Sequence, residues 1–324
     1  MANTVEEEIL PRERYQKLIS SFPLFEGWGP LRIRSYLGFW YPEVHLAGLL
    51  AFRDQFKPRD TDIILCSPPK SGTTWLKALT FATVTRKHHE LSSRNHPLLR
   101  LHPHDCVPLV DEVYWRGQAS ELENLAAPRI LSVHAAYQLL PECLSSSHCK
   151  FVYICRDPKD TVVSGWHYLK EMMPETEPVP FTRAFEMHCE GISSFGPLWD
   201  HQLGYWMESL RRPSKILFLK YEEVMQDTGK HLRKLAEFLG YPFTKEEEGA
   251  GVAEEIVRLC SFEKLKEVEG NKEGDRGYKE LAIKNSSFFR KGKVGDWKNH
   301  LTAEMAQRLD GIFTEKLSGS GLSF

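Results

Sequence analysis

One stretch, residues 62–79, constrains the fold of this chain more than any other. Ile63, Ile64 and Leu65 form the short apolar run that a buried parallel strand requires, and two prolines end it. Lys70-Ser71-Gly72-Thr73-Thr74 then opens a helix. The start of a helix presents unpaired N–H groups and the positive end of the helix dipole. With the lysine beside it, this turn predicts a binding site for a phosphate-like anion.

The same stretch has an alternative interpretation as an ordinary strand–turn–helix with polar caps. It is not a Walker A loop, because that motif places its lysine directly after the second glycine, whereas Lys70 precedes Gly72. The turn is therefore shorter than that of an ATPase, and it must hold its ligand differently.

Three further apolar runs predict strands, at residues 129–133, 150–155 and 215–219. Helical patterns separate and follow them, at residues 158–171, 181–189, 197–210 and 229–239. Strands that alternate with helices predict an α/β fold with a central parallel β-sheet flanked by helices on both faces.

Polar side chains follow the predicted strands at their carboxyl ends, where open parallel sheets bind ligands. Lys70, His134, Arg156 and Tyr221 each come just after a different strand. We therefore expect these four residues to meet at one edge of the sheet.

The remaining segments give less specific expectations. Residues 11–21 predict a short helix, residues 244–259 an acidic amphipathic helix and residues 302–317 a last helix. The aromatic and aliphatic stretch 34–56 is either a helix packed on the core or a wall of an apolar pocket. The Gly-, Lys- and Glu-rich stretch 270–285 predicts a mobile loop.

The organisation of the chain is simple. We expect a disordered N-terminus over residues 1–10 and a single domain over residues 11–324, since no repeat or linker divides the sequence.

Composition limits the partners of the protein. The 324 residues include 42 Lys and Arg against 44 Asp and Glu, a balance that gives no reason to expect nucleic acid or an anionic membrane as a partner. No apolar run approaches the roughly 18 residues that a membrane span needs. The acidic N-terminus predicts no secretory or transit signal, and seven scattered cysteines fit a reducing compartment. We therefore expect a cytoplasmic protein.

A cluster of histidines suggests a metal site at first sight. It comprises His88, His89, His96, His102 and His104. Prolines interrupt the cluster and no pattern of cysteine or acidic ligands accompanies it, so we expect no metal there.

The segment from Pro69 to Trp75, Pro-Lys-Ser-Gly-Thr-Thr-Trp, resembles the 5′-phosphosulfate loop of the cytosolic sulfotransferases. Residues 66–79 are similar to the plant branch of that family, and the resemblance extends from about residue 60 to residue 324. It implies a P-loop NTPase-like sulfotransferase fold. It also implies a sulfonate donor, 3′-phosphoadenosine 5′-phosphosulfate (PAPS). After transfer the product 3′-phosphoadenosine 5′-phosphate (PAP) leaves, and no metal is required.

The resemblance also implies which residues hold the donor. Arg156 and Ser164 match the 3′-phosphate site, Trp75 and Phe262 would sandwich the adenine, and the Arg-Lys-Gly at 290–292 would close over the nucleotide. Two alternatives remain open from the residues alone: Arg156 neutralised by a neighbouring aspartate, and residues 290–292 as a solvated loop. The full expected donor site is Lys70, Ser71, Gly72, Thr73, Thr74, Trp75, Arg156, Ser164, Tyr221, Phe262, Arg290, Lys291 and Gly292.

His134 is the candidate general base, although a single histidine after a strand is often structural. In the family, the matching histidine takes the proton of the acceptor hydroxyl, and an ordinary histidine pKa near 6.5 suits that task. The chain departs from the family around it, because Ser132 stands where the animal members have a lysine. Lys70 is then the main cation for the sulfonate, and we expect an in-line transfer catalysed by His134 and Lys70.

The acceptor is a small hydroxylated molecule that the sequence does not identify. Flavonoids, other phenolics, brassinosteroids, hydroxyjasmonate and desulfoglucosinolates all remain open. By position in the family, its pocket would be lined by Trp40, Tyr41, Val107, Pro108 and Tyr168.

The oligomeric state is expected to be a monomer. Lys298 and Thr302 match the dimer segment of the animal members, but Ala303 and Gln307 depart from it.

Two rival functions belong to other classes. A nucleotide kinase would bind ATP with magnesium, which the missing Walker A loop argues against. A non-catalytic nucleotide sensor would keep the phosphate sites without transfer, and the altered surroundings of His134 leave that alternative open.

Overall fold

A four-stranded parallel sheet lies at the centre of the protein. The structure is a computed structural model, and it describes residues 10–28, 31–172, 179–278 and 281–324. The strands are β1 Leu24–Trp28, β2 Leu31–Tyr36, β3 Phe39–Pro42, β4 Ile63–Cys66, β5 Ile130–Val133, β6 Lys150–Cys155, β7 Ile216–Lys220, β8 Asp275–Tyr278 and β9 Leu281–Lys284. The parallel sheet has the order β5-β4-β6-β7. Its register pairs Ile63 with Ile130 and with Lys150, and Phe151 with Ile216.

Helices surround this sheet. They are α1 Pro11–Ser21, α2 Glu43–Gln55, α3 Thr73–Thr85, α4 Pro103–Cys106, α5 Val110–Trp115, α6 Ala119–Glu123, α7 Cys143–Ser146, α8 Pro158–Met172, α9 Phe181–Cys189, α10 Leu198–Arg211, α11 Tyr221–Gln226, α12 Thr228–Leu239, α13 Lys245–Gly249, α14 Val252–Leu259, α15 Phe262–Glu267, α16 Glu269–Lys272 and α17 Ala303–Lys316. Short 3₁₀ helices lie at Pro97–Leu99, Tyr137–Leu139, Asn285–Phe288 and Asp296–Asn299.

The sheet is buried on both faces because successive side chains of a strand point to opposite sides. Ile64 and Cys66 enter a core formed with α2, α5 and α10. Ile63 and Leu65 enter a second core formed with α3, α12 and α14. This arrangement explains why β4 is apolar without alternation, and it confirms the predicted α/β fold with a central parallel sheet.

The predicted strands and most helices of this sheet agree with the structure to within two residues at each end. Residues 11–21 and 181–189 form helices with the predicted bounds. Residues 1–9 of the expected disordered N-terminus lie outside the described residues, and the single domain over 11–324 stays a prediction.

Of the two alternatives for residues 34–56, the helix is wrong in its first part. Leu31–Tyr36 and Phe39–Pro42 pair as antiparallel strands, and the helix begins at Glu43. Leu37 and Gly38 join the strands with φ of 50° and 86°. Positive φ at both central residues is the geometry of the tight hairpin turn that suits strand twist, so the glycine allows the hairpin.

Two expectations in the C-terminal third are also corrected. Residues 244–259 form α13 and α14 rather than one helix, because Gly251 adopts a φ of 71° between them. The described part of residues 270–285 forms most of α16 and the antiparallel pair β8–β9 rather than a loop, and residues 279–280 lie outside the described residues. The Asn285 side chain donates hydrogen bonds to Gly270 O at 2.9 Å and Glu273 O at 2.7 Å, and so ties this segment together.

Candidate active site

A cavity of about 470 Å³ lies at the carboxyl edge of the parallel sheet. Lys70, His134, Arg156 and Tyr221, each just after a different strand, all line it. The convergence expected from the strand ends is thus present in the structure, and the fold brings residues more than 150 positions apart to one place.

The turn between β4 and α3 is held in an unusual backbone conformation. Lys70 has a φ of 68° and Gly72 a φ of 101°, so both adopt the left-handed region. A Cβ on Gly72 would lie 2.7 Å from the Tyr221 ring, which shows how closely the turn packs against the start of α11. The Ser67 and Thr73 hydroxyls share a hydrogen bond of 2.6 Å.

Polar groups of this turn lack partners within the described part of the protein. The Ser71 hydroxyl is fully buried and has no hydrogen-bond partner. Gly72, Thr73 and Thr74, at the start of α3 where helix N–H groups are unpaired, line the cavity. Buried polar atoms are normally paired, so this concentration of free donors fits an anion.

Lys70 extends over an aromatic surface. Its Nζ lies 3.9 Å from the centroid of the Tyr168 ring and 5.6 Å from that of Phe288. Burial lowers the pKa of Lys70 to about 7, Glu171 opposes this shift, and the cations Arg156 and Arg290 add to it. An anion bound beside Lys70 would favour the charged amine, because an opposite charge raises a lysine pKa.

Arg156 is buried, but it is not simply neutralised by an aspartate. It donates to Asp160 at 3.2 Å and to Lys293 O at 2.7 Å, and its guanidinium lies 4.7 Å from the Tyr221 ring centroid. Its Nε has no partner. Asp160 also accepts hydrogen bonds from the backbone N–H groups of Gly295 and Trp297. The carboxylate is therefore shared, and the guanidinium keeps a free donor beside the cavity.

The basic segment 290–292 is held against the same cavity. Asp296 forms ion pairs with Arg290 at 2.7 Å and with Lys291 at 2.6 Å, so the segment is anchored rather than loose. Gly292 has a φ of 62°, and a Cβ there would lie 2.3 Å from the Phe262 ring. Only glycine lets this backbone lie flat against the aromatic ring.

His134 lies deeper in the cavity with one ring nitrogen already committed. Its Nδ1 is 2.8 Å from Ser67 O, and a carbonyl only accepts, so Nδ1 carries the proton and Nε2 is left as the basic atom. Burial lowers the pKa of His134 to about 4, although the bond to Ser67 opposes that shift. The imidazole is therefore neutral at physiological pH. Phe195, with its ring centroid 5.4 Å away, packs edge-on against it.

The sequence and fold of this chain are similar to those of known proteins. The family model described as the sulfotransferase domain matches residues 60–321. The chain belongs to the sulfotransferase family. This membership confirms the resemblance to the plant cytosolic sulfotransferases, and with it the enzyme class, a PAPS-dependent sulfotransferase.

Individual relatives agree with the assignment. Cytosolic sulfotransferase 5 of Arabidopsis thaliana is 45% identical over 315 residues, which cover 96% of this chain and 97% of the relative. The flavonol 4′-sulfotransferase of Flaveria chlorifolia is 45% identical over 297 residues, 91% of each chain. A solved Arabidopsis thaliana sulphotransferase superposes with a TM-score of 0.76 at 39% identity, covering 95% of this chain and 94% of that one. A mouse sulfotransferase complexed with PAP superposes with a TM-score of 0.66 at 28% identity, covering 89% and 95%.

The expected donor residues of this sulfotransferase are brought together almost completely. All of them line the cavity except Ser71, whose side chain is fully buried. The Trp75 and Tyr221 rings meet edge-on with centroids 5.7 Å apart.

The expected acceptor residues are not brought together. Tyr168 lines the cavity, whereas Trp40, Tyr41, Val107 and Pro108 do not. Tyr41 is 1% exposed and accepts a hydrogen bond from Ala136 N. Val107 is 0% exposed. The Tyr41 and Val107 side chains are buried in the core, so position along the chain did not place them at the cavity wall.

Other side chains form the apolar part of the wall, and the sequence analysis missed them: Leu31, Leu109, Trp166, Leu169, Met172, Phe195 and Ile283. Trp166, Leu169 and Met172 lie on α8 at helical spacing, which is a signal that could have found them. Phe195 carries a weaker signal, since it precedes a Gly-Pro pair and adopts a φ of 65° that few non-glycine residues tolerate.

The histidines that suggested a metal have local partners. His96 Nδ1 accepts from Leu98 N at 3.2 Å, and His102 Nδ1 accepts from His104 N at 3.1 Å. Within residues 10–28, 31–172, 179–278 and 281–324, no group of three His, Cys, Asp or Glu side chains is arranged to hold a metal ion. In the same part of the chain, no helix combines the length and the apolar character needed to cross a membrane.

Proposed function

We propose that this sulfotransferase moves the sulfonate group of PAPS to a hydroxyl of a small, largely apolar plant metabolite, with His134 as the general base. The observation that carries the proposal is the convergence of the Lys70 turn, Arg156 and His134 on one cavity. The cavity lining combines basic side chains from three parts of the chain, Lys70, Arg156 and residues 290–291, with a neutral imidazole and apolar side chains. A donor with a phosphosulfate and a second phosphate matches this charge pattern.

The residues of the donor end then have distinct roles. The N–H groups at the start of α3 with Lys70, Ser71 and Thr74 bind the 5′-phosphosulfate, and Arg156, Ser164 and the 290–292 segment bind the 3′-phosphate. Trp75 and Phe262 hold the adenine through its faces, as aromatic rings hold bases elsewhere. The mouse relative complexed with PAP supports this assignment of the nucleotide.

Transfer follows from the position of His134. The Nε2 lone pair takes the proton of the acceptor hydroxyl while the oxygen attacks sulfur. The bond between sulfur and the bridging phosphate oxygen breaks, and PAP leaves with the electron pair. Lys70 and the helix N–H groups stabilise the charge that grows on that oxygen, a contribution typically worth about 10²–10³-fold in rate.

The acceptor class follows from the apolar wall. Trp166, Leu169, Met172 and Phe195 offer flat and aliphatic surfaces that suit a ring system rather than a charged chain. Two flavonol sulfotransferases are among the relatives, each 45% identical to this chain. A phenolic acceptor of flavonol size is therefore the first candidate, ahead of the brassinosteroid, hydroxyjasmonate and desulfoglucosinolate alternatives. The cytoplasmic location and the monomeric state stay predictions.

The experiment is sulfonate transfer from ³⁵S-labelled PAPS to a panel of these acceptors, with and without EDTA, alongside PAP binding by calorimetry. We expect labelled flavonol or another phenolic product, at the same rate with EDTA. No product from any acceptor, with PAP still bound, would favour the nucleotide-sensor alternative. No PAP binding would refute the proposed donor.

A further inference from the structure

A fully buried lysine with no part in the proposed transfer lies one helical turn below the anion-binding turn. Lys77 is 0% exposed in α3, three positions after Thr74 and so on the same side of the helix. A buried ammonium is costly unless its hydrogens are bonded. Lys77 Nζ lies 2.9 Å from Val107 O and 3.1 Å from His104 Nδ1, which identifies its partners.

His104 continues this chain of contacts to the cavity. Its Nε2 lies 3.3 Å from the Thr74 hydroxyl, and both residues line the cavity. The His104 ring is held between His102 and Phe288, with ring centroids 4.9 Å and 4.8 Å away. The three polar groups are therefore connected in series, from the protein interior to the turn that faces the donor.

The direction of each hydrogen bond follows from donor and acceptor chemistry. Burial lowers the pKa of Lys77 to about 7, and a donor anion bound nearby would favour the charged amine. The ammonium form only donates, so with Lys77 charged His104 Nδ1 accepts from it. Burial holds the pKa of His104 well below its usual value, so the ring is neutral and carries a single proton, on Nε2. Nε2–H then donates to the Thr74 oxygen. With its oxygen occupied as an acceptor, the Thr74 hydroxyl has its own hydrogen free to donate into the cavity.

We propose that Lys77 and His104 are positioning residues that set the Thr74 hydroxyl as a hydrogen-bond donor toward the 5′-phosphosulfate of PAPS. The inference rests on the proposed function, because it requires a donor anion beside Thr74. The inference also assigns a role to Lys77. Ser132, which stands where the animal members have a lysine, cannot contact the donor, because its fully buried side chain donates to Pro108 O at 2.9 Å, away from the cavity.

A double-mutant cycle on PAP affinity separates this role from a purely structural one. The variants are Thr74→Val, Lys77→Met and the pair of them, with calorimetric Kd values for PAP. Thr74→Val should weaken binding about tenfold, as expected for the loss of one hydrogen bond to a charged group. Lys77→Met alone should weaken it severalfold. Because Lys77 acts through the hydroxyl, the double variant should bind within about twofold of Thr74→Val.

Two further variants keep the test decisive. In a Thr74→Ser background, which retains the hydroxyl, Lys77→Met should again weaken PAP binding severalfold. His104→Phe, which keeps an aromatic ring without the ring nitrogens, replaces Lys77→Met in the cycle if that variant does not fold. Losses that multiply in the double variant would overturn the positioning role while leaving the proposed function intact. Failure of the unmodified protein to bind PAP would overturn the proposed function and this inference together.

Discussion

The two ends of the active-site cavity differ in how they are built. The donor end is made largely of contiguous motifs, residues 70–75 and 290–292 together with Arg156, and its charges are fixed by partners such as Asp160 and Asp296. The acceptor end is made of single apolar side chains from β2, α8, the loop before α10, and β9. An anion needs a specific set of donors in a specific place, whereas an apolar ring needs only shape and dry surface. Short sequence motifs therefore identify the donor end of the cavity but not the acceptor end.

The largest expected effect lies at the boundary of the two ends. His134→Ala should lower kcat about 10²–10⁴-fold, the usual contribution of a general base, and change the Kd for PAP less than about threefold. His148→Ala, at an exposed site, is the control. Transfer from labelled PAPS and calorimetry measure the two quantities. A variant that kept more than about a tenth of the rate would refute the role of His134.

A smaller effect distinguishes close packing from backbone strain at the donor end. Gly292→Ala should weaken PAP binding about tenfold, because the new methyl would overlap the Phe262 ring. Gly295→Ala is the matched control, since Gly295 also has a positive φ, of 82°, but open space around its Cβ position. Equal losses in the two variants would mean that strain, and not the contact with Phe262, limits donor binding.

At the acceptor end the expected change is a few-fold. Leu169→Ala should raise KM for a flavonol about fivefold through the loss of buried apolar contact, with PAP binding unchanged. Tyr41→Phe should leave KM unchanged, because the Tyr41 side chain faces the core. The opposite pattern in steady-state kinetics would restore Tyr41 to the acceptor wall and remove Leu169 from it.

The smallest effect concerns one buried histidine of α9, His188, which also lines the cavity. Burial lowers the pKa of His188 to about 4, and its Nε2 has no partner. The unfolded chain therefore binds this proton near pH 6.5 and the folded protein only near pH 4. Stability from His188 is present above pH 6.5 and is lost as the pH falls toward 4.

Urea unfolding between pH 7 and pH 4.5 tests this contribution. On acidification, the unfolding free energy should fall less in His188→Gln than in the unmodified protein. The slopes of unfolding free energy against pH should differ by at most the value for one proton taken up on unfolding. Identical slopes would show that the His188 imidazole is not held neutral in the folded state.

The sequence could predict the elements and the meeting of Lys70, His134, Arg156 and Tyr221 because their signals are local, whereas the other donor residues were implied only by the resemblance to the sulfotransferases. The apolar run of β4, the small residues after it and the charged residues at the strand ends lie within short windows of the chain. The hairpin of β2 and β3 was missed because its aromatic residues are as typical of a buried helix, and only the Leu37-Gly38 turn separates the two interpretations. The β8–β9 pair was missed because its composition is that of a loop, and the hydrogen bonds from the Asn285 side chain that tie the end of β9 to the α16 region join residues distant along the chain.

By itself, the sequence determined the parallel α/β sheet, the turn at Lys70 and the edge at which Lys70, His134, Arg156 and Tyr221 meet, because strand direction alone places those residues. Only the tertiary structure decided that Leu169 and Phe195 face the cavity while Tyr41 and Val107 face the core, and that Lys77 reaches His104. Those outcomes depend on how far each element is rotated and how closely it packs on its neighbours. No short window of sequence contains that information.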